Sequence, residues 1–230
     1  MENKTKQQTL STPQSQNVFL FVPNVIGYTR VILAILSLYY MPFSPWKCMG
    51  LYTISCLLDA VDGNAARYFD QCSKFGAVLD MVTDRSTTTC LLCYLSSVYP
   101  LWTIVFQLLI SLDLSSHYMH MYSSLTAGAS SHKKISKSSN RMLRAYYSDN
   151  RILFAVCAFN ELFFVALYLL SFEDDPTFPE WSIFPLYLLA FGSSPICAIK
   201  QVINIIQLVG ASQNLAKADV EDRNKAFKNS

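Results

Sequence analysis

Ser86 to Leu112 reads STTTCLLCYLSSVYPLWTIVFQLLISL, a run of 27 residues without a charged side chain. A helix that crosses a bilayer needs about 20 mostly apolar residues, so a run of this length broken by one proline holds the end of one span and the start of the next. Pro100 marks the turn between them. Two further runs lie downstream: Ile152 to Ser171 holds Glu161 as its one charged residue, and Trp181 to Ile199 holds none. The chain of 230 residues is 52% hydrophobic and 15% charged, where a soluble domain carries about 25% charged residues. Three such runs in one small chain would expose more apolar surface than water tolerates. The sequence therefore predicts an all-α, polytopic membrane protein.

Working outward from that run, six spans are expected, from about Pro23 to Pro42, Lys47 to Tyr68, Gly76 to Tyr99, Leu101 to Ser124, Arg151 to Phe172 and Ser182 to Leu208. Charge supports an even number. Lys4 and Lys6, then Lys133, Lys134, Lys137, Arg141, Arg144 and Arg151, then Lys217, Arg223, Lys225 and Lys228 fall on one side. Lys47 and the acidic Glu173, Asp174, Asp175 and Glu180 fall on the other. The positive-inside rule makes the basic side cytosolic, with both termini there. Residues 1–16, rich in Gln, Ser and Thr, read as a disordered cytosolic tail without the apolar core of a signal peptide. Residues 17–210 form the membrane domain and 211–230 a polar cytosolic tail. Val18 to Phe21 would lie along the interface. The seven cysteines sit mostly in apolar segments with no disulfide or zinc spacing. A net charge of +2 gives no footprint for nucleic acid.

Just upstream of the opening run lie Asp59, Asp62, Asp80 and Asp84. Asp59 and Asp62 are three apart and share a helix face with Gly63, Ala66 and Arg67; Asp80 and Asp84 are four apart and share a face of the next helix. The short link from about Phe69 to Phe75 returns the second helix antiparallel to the first, so the four carboxylates are expected near one membrane surface. Clustered carboxylates repel unless cations neutralise them. Oxygen-only ligands favour hard ions such as Mg2+ or Mn2+, and two such ions can clamp a pyrophosphate. Gly63, Ala66 and Gly76 leave the faces bare enough for a bulky ligand, and Arg67 offers a planar fork for a phosphate. Spacing alone leaves two other readings open: ion pairs with Arg30, Arg67, Arg85 or Lys200, and a cation- or proton-transport site.

The pattern Asp59-x2-Asp62-Gly63-x2-Ala66-Arg67-x8-Gly76-x3-Asp80-x3-Asp84 resembles, without departure, the signature of the CDP-alcohol phosphotransferase family. Residues 19–30, Ser111-Leu112-Asp113, Ser115-Ser116-His117, Ser131-His132-Lys133 and Asn160-Glu161-Leu162-Phe163 are similar to the eukaryotic branch that uses inositol. The resemblance implies six transmembrane helices, a homodimer in the endoplasmic reticulum membrane, two Mg2+ or Mn2+ ions, and transfer of the phosphatidyl group of CDP-diacylglycerol to myo-inositol with release of CMP. It also implies that Asp59, Asp62, Asp80 and Asp84 bind the metals and that Asp84 is the base. Gly63, Arg67, Ser73, Pro23 and Asn24 would contact the CDP-diacylglycerol. A neighbouring family member with another alcohol acceptor is the nearest alternative.

Inositol is a neutral polyol, so polar side chains are expected to orient it, with Asp113, His117, Lys133 and Arg144 as candidates, followed by Arg151 and Lys200. The basic residues after the fourth span would equally well meet anionic headgroups. Asn160 and Glu161, in the middle of a span, are expected in helix packing or a dimer contact.

Overall fold

The computed structural model describes residues 17–130 and 150–228, with side chains from 17–126 and 151–228. Six α-helices run through them: α1 (Val22–Tyr40), α2 (Pro45–Tyr68), α3 (Lys74–Val98), α4 (Thr103–Ser130), α5 (Asn150–Leu170) and α6 (Glu180–Lys228). Short 3-10 helices precede α1 (Val18–Leu20) and α4 (Pro100–Trp102). No strand occurs among the described residues. The expected tail 1–16, the basic residues 133–144 and the final two residues lie outside the described part.

The chain divides into two compact units, residues 1–83 and 84–230, with α3 contributing to both. In the first unit α1 packs along α2. Pro23 sits in the first turn of α1, where its missing N–H breaks no helical bond. α2 ends in a Schellman turn: the Gln71 N–H bonds the Ala66 carbonyl at 2.9 Å while Asp70 takes the left-handed conformation at φ 52°. That turn points the Gln71 side chain at α1, where its Oε1 accepts the Val22 N–H at 2.9 Å. Ser73 then caps α3, its Oγ accepting the Gly76 N–H at 2.9 Å. Gly76 is required here, because a Cβ would lie 2.7 Å from Asn24 Oδ1 and 3.1 Å from Ser73 Oγ.

In the second unit α6 packs against α4 and α5. Its core holds Leu91, Leu92, Leu95, Phe106, Phe164, Tyr168 and Leu186, all buried. The break at Pro100 bends the α3–α4 path by 120°. Thr103 Oγ1 bridges the break by donating to the Ser96 carbonyl at 2.9 Å. Asn160 and Glu161 lock helices together: Gln201 Nε2 donates to Asn160 Oδ1 at 3.0 Å and Thr88 Oγ1 to Glu161 Oε1 at 3.3 Å. In the loop after α5, the N–H and hydroxyl of Thr177 both bond Asp175 Oδ1 at 2.8 Å and hold that carboxyl below its usual range.

α1, α5 and α6 are long and apolar enough to cross a membrane, and the bent α3–α4 pair passes the same test when taken together. Large apolar side chains on the helix exteriors are exposed, among them Ile35, Leu101, Leu108, Phe184, Leu188 and Phe191. Such an inside-out surface suits lipid rather than water. α1, α2, α3 and α5 begin and end within a few residues of the expected spans, whereas α4 reaches Ser130, six residues past the expected Ser124, and α6 does not stop near Leu208. It runs 49 residues, about 74 Å at ~1.5 Å per residue. Nothing after Gly210 breaks it: Ala211 to Lys228 contains no Pro or Gly and is rich in Ala, Lys and other good helix formers.

Candidate active site

Arg30 organises the acidic cluster. Its guanidinium is 2% exposed, with Nη1 2.6 Å from both Asp62 Oδ2 and Asp80 Oδ1, and Nη2 2.6 Å from Asp59 Oδ1. The Arg30 carbonyl in turn accepts the Ser55 hydroxyl at 3.2 Å. Three of the four expected metal ligands, Asp59, Asp62 and Asp80, thus bring one oxygen each within 4.8 Å of one another. The fourth, Asp84, follows Asp80 by one turn of α3 and belongs to the second unit, where Arg85 Nη2 lies 3.7 Å from its Oδ2.

Three carboxylates against one guanidinium leave a formal charge of −2. The Asp62 side chain is buried, whereas those of Asp59 and Asp80 are 42% and 46% exposed and keep oxygens open to an incoming ion. The donors are all hard oxygens. The residues present therefore fit a hard divalent cation, and the ion pairs with Arg30 hold the three carboxylates together.

A cavity of about 170 Å3 opens beside the cluster in the first unit. Pro23, Asn24, Gly63, Arg67 and Ser73, the residues expected to touch the donor, all line it, together with Asp62 and Asp80. Asn24 is 1% exposed and is fixed by Nδ2 donating to the Val18 carbonyl at 2.6 Å. Arg67 donates from Nη2 to Asn64 Oδ1 at 2.8 Å, which directs the fork along the Gly63 face of α2. The capped N-terminus of α3 supplies Ser73, Gly76 and Ala77 to the wall, and a helix N-terminus favours an anion. Gly27, Gln71 and Cys72 also line the cavity. Their part was not legible in spacing, because it depends on the Schellman turn that aims Gln71 at α1.

In the second unit Arg85 Nη1 grips Asp113 through both carboxylate oxygens, at 3.0 and 3.1 Å. His117 lies one turn from Asp113, with Nδ1 2.8 Å from the Asp113 carbonyl. A carbonyl oxygen only accepts, so Nδ1 is the donor of this bond. Lys133 and Arg144 lie outside the described residues.

A family profile described as CDP-alcohol phosphatidyltransferase matches residues 20–169, most of the chain and all of the acidic signature. The chain belongs to the CDP-alcohol phosphatidyltransferase family. Its similarity to particular members runs almost end to end. A relative from Schizosaccharomyces pombe, named CDP-diacylglycerol–inositol 3-phosphatidyltransferase, is 53% identical over 92% of this chain and 95% of its own length. Relatives of the same name from Mus musculus and Saccharomyces cerevisiae are 47% and 46% identical, covering 91% and 95% of this chain and 98% and 97% of their own. No solved structure gives a significant match. The acidic cluster and the cavity beside it thus lie within the family-matched region, as do Asp84, Arg85, Asp113 and His117.

Proposed function

We propose that this protein is a membrane enzyme that transfers the phosphatidyl group of CDP-diacylglycerol to myo-inositol, releasing CMP and forming phosphatidylinositol. The observation that carries the reading is the near full-length identity to relatives named for that reaction, in a chain with an acidic cluster beside an anion-favouring cavity.

Asp59, Asp62 and Asp80, with Asp84 from the next turn of α3, hold two Mg2+ or Mn2+ ions. When bound, these ions neutralise the diphosphate of the donor and stabilise charge on its leaving oxygen. Arg67, Ser73 and the backbone of Gly63 receive the CDP moiety, with Pro23 and Asn24 toward the cytidine. Asp113 and His117, and beyond the described residues Lys133 and Arg144, orient the inositol. Asp84 takes the proton from one inositol hydroxyl, that oxygen attacks the phosphorus bonded to diacylglycerol, and the bond from that phosphorus to the CMP oxygen breaks. Positioning and charge neutralisation supply most of the acceleration.

The protein crosses the membrane of the endoplasmic reticulum six times, with both termini cytosolic, and acts as a homodimer. Support for six crossings comes from six long helices among the described residues and from the alternation of basic and acidic stretches along the sequence.

CMP release by purified protein, given CDP-diacylglycerol and Mn2+ with and without myo-inositol, tests the reaction. Inositol-dependent release with phosphatidylinositol as product supports it. Release with glycerol phosphate, serine, choline or ethanolamine instead would keep the family and replace the acceptor. No release with any alcohol, from folded protein, would move the carboxylates to ion transport or structure.

A further inference from the structure

The last helix buries a polar stripe that the chemistry above does not use. Lys200, Asn204 and Gln207 follow one face of α6 at i, i+4 and i+7, and all three are buried, none more than 3% exposed. Lys200 Nζ donates to Asn204 Oδ1 at 2.7 Å, and Asn204 Nδ2 lies 3.4 Å from Asp113 Oδ1. Gln207 continues the face one turn further and carries the anomaly: its Oε1 is buried and accepts no hydrogen bond among the described residues. Buried amide carbonyls are almost always bonded, so this one leaves a place for a donor that the described residues do not supply.

The stripe connects to the proposed base within one unit. Asp84 meets Arg85 at 3.7 Å, Arg85 meets Asp113 at 3.0 Å, and Asp113 meets Asn204 at 3.4 Å. The surrounding charges limit what can bind. Arg85 and Lys200 are positive, and Asp84, Asp113 and Glu161, all flanking Arg85, are negative. Among the described residues, two against three leaves no positive surplus to recruit a phosphate or carboxylate. The same set offers both donors, on Lys200 and Asn204, and acceptors, on Asp113 and Gln207. A neutral molecule bearing several hydroxyls, each donor and acceptor at once, matches it.

We propose that Asn204 and Gln207 line the acceptor subsite and that Gln207 Oε1 accepts a hydroxyl of the polyol, making Gln207 a specificity-determining residue. This rests on transfer to myo-inositol being the reaction. The alternative is a packing residue that merely tolerates a buried carbonyl, and the two differ in a measurable way.

Gln207→Met keeps the length and volume while removing the acceptor. Steady-state CMP release gives KM for both substrates, and thermal unfolding in detergent without inositol gives stability. The expected result is a rise of about tenfold in KM for myo-inositol, the effect of losing one buried hydrogen bond to substrate. KM for CDP-diacylglycerol should stay within about twofold, and Tm should be unchanged or higher, since an unsatisfied carbonyl has gone. Gln207→Asn, which withdraws the oxygen by one methylene and keeps a polar side chain, covers a methionine variant that does not fold. It should raise the same KM by about threefold. An unmoved KM for inositol in a folded variant, or a fall in kcat alone, overturns the subsite. Wild-type protein that shows no inositol-dependent release overturns the reaction itself, and the subsite with it.

Discussion

Around Arg30 three carboxylates crowd a single guanidinium, and two of them remain nearly half exposed. Around Asp113 the charges alternate instead: Arg85, Asp113, Asn204 and Lys200 form a chain of opposite or neutral neighbours, with Lys200 and Asn204 fully buried. The difference is one of clustered against alternating charge. An acidic surplus that reaches solvent attracts a mobile cation and, through it, an anionic substrate. A buried network of alternating charge offers hydrogen bonds, which suits a neutral alcohol. On the proposed reading, the first unit holds the donor-type site and the second the acceptor-type site.

Four measurements would break or sharpen that contrast. The largest effect should come from chelation. Excess chelator is expected to take CMP release to background, with Mn2+ or Mg2+ restoring it; activity that persists would remove the di-metal reading. Asp84→Asn should lower turnover by about 10²–10⁴-fold, the range for loss of a general base, while Tm holds. Turnover like that of the wild type would take the base role from Asp84.

Arg30→Leu leaves the Asp59, Asp62 and Asp80 carboxylates without their guanidinium. Breaking a fully buried pair costs about 3–5 kcal/mol, and exposure of Asp59 and Asp80 brings the expected loss to about 2–3 kcal/mol. Added Mn2+ should recover part of it in the variant and also raise the Tm of the wild type. A variant whose Tm ignores Mn2+ would contradict an acidic surplus. Gly76→Ala is the mildest of the four. Its Cβ meets Asn24 Oδ1, which the Val18 carbonyl holds in place, so about 1–2 kcal/mol of overpacking is expected. KM for CDP-diacylglycerol should rise more than KM for inositol, and equal rises would detach this wall from the donor.

Much of the helical framework was open to reading because apolar runs and prolines leave few choices. Pro100 does break α3 from α4, and α1 begins with Val22-Pro23. The end of α6 was less visible, because a polar sequence without Pro or Gly reads equally as tail or as solvated helix. The convergence of Asp59, Asp62 and Asp80 follows from spacing plus a short turn. Arg30 was harder to place. A lone arginine in an apolar span signals a buried partner, but the sequence left it as one of several cations for the acids to pair with. Asn204 and Gln207 were hidden in an apolar run, although the recurrence of polar residues at 200, 204 and 207 carries helical period and marks a single face. The bond between Asn160 and Gln201 depends on how α5 meets α6, which local pattern does not encode.

The division of labour is tested most directly by a paired experiment, in which KM for CDP-diacylglycerol and for myo-inositol are measured in Arg67→Gln and in Gln207→Met. The account expects a crossed result. Arg67→Gln should raise KM for the donor by about tenfold, the value of one charge-assisted contact to phosphate, and leave inositol nearly untouched. Gln207→Met should do the reverse. If either variant moves both constants together, or if Arg67→Gln moves the inositol constant alone, separate donor and acceptor sites are contradicted.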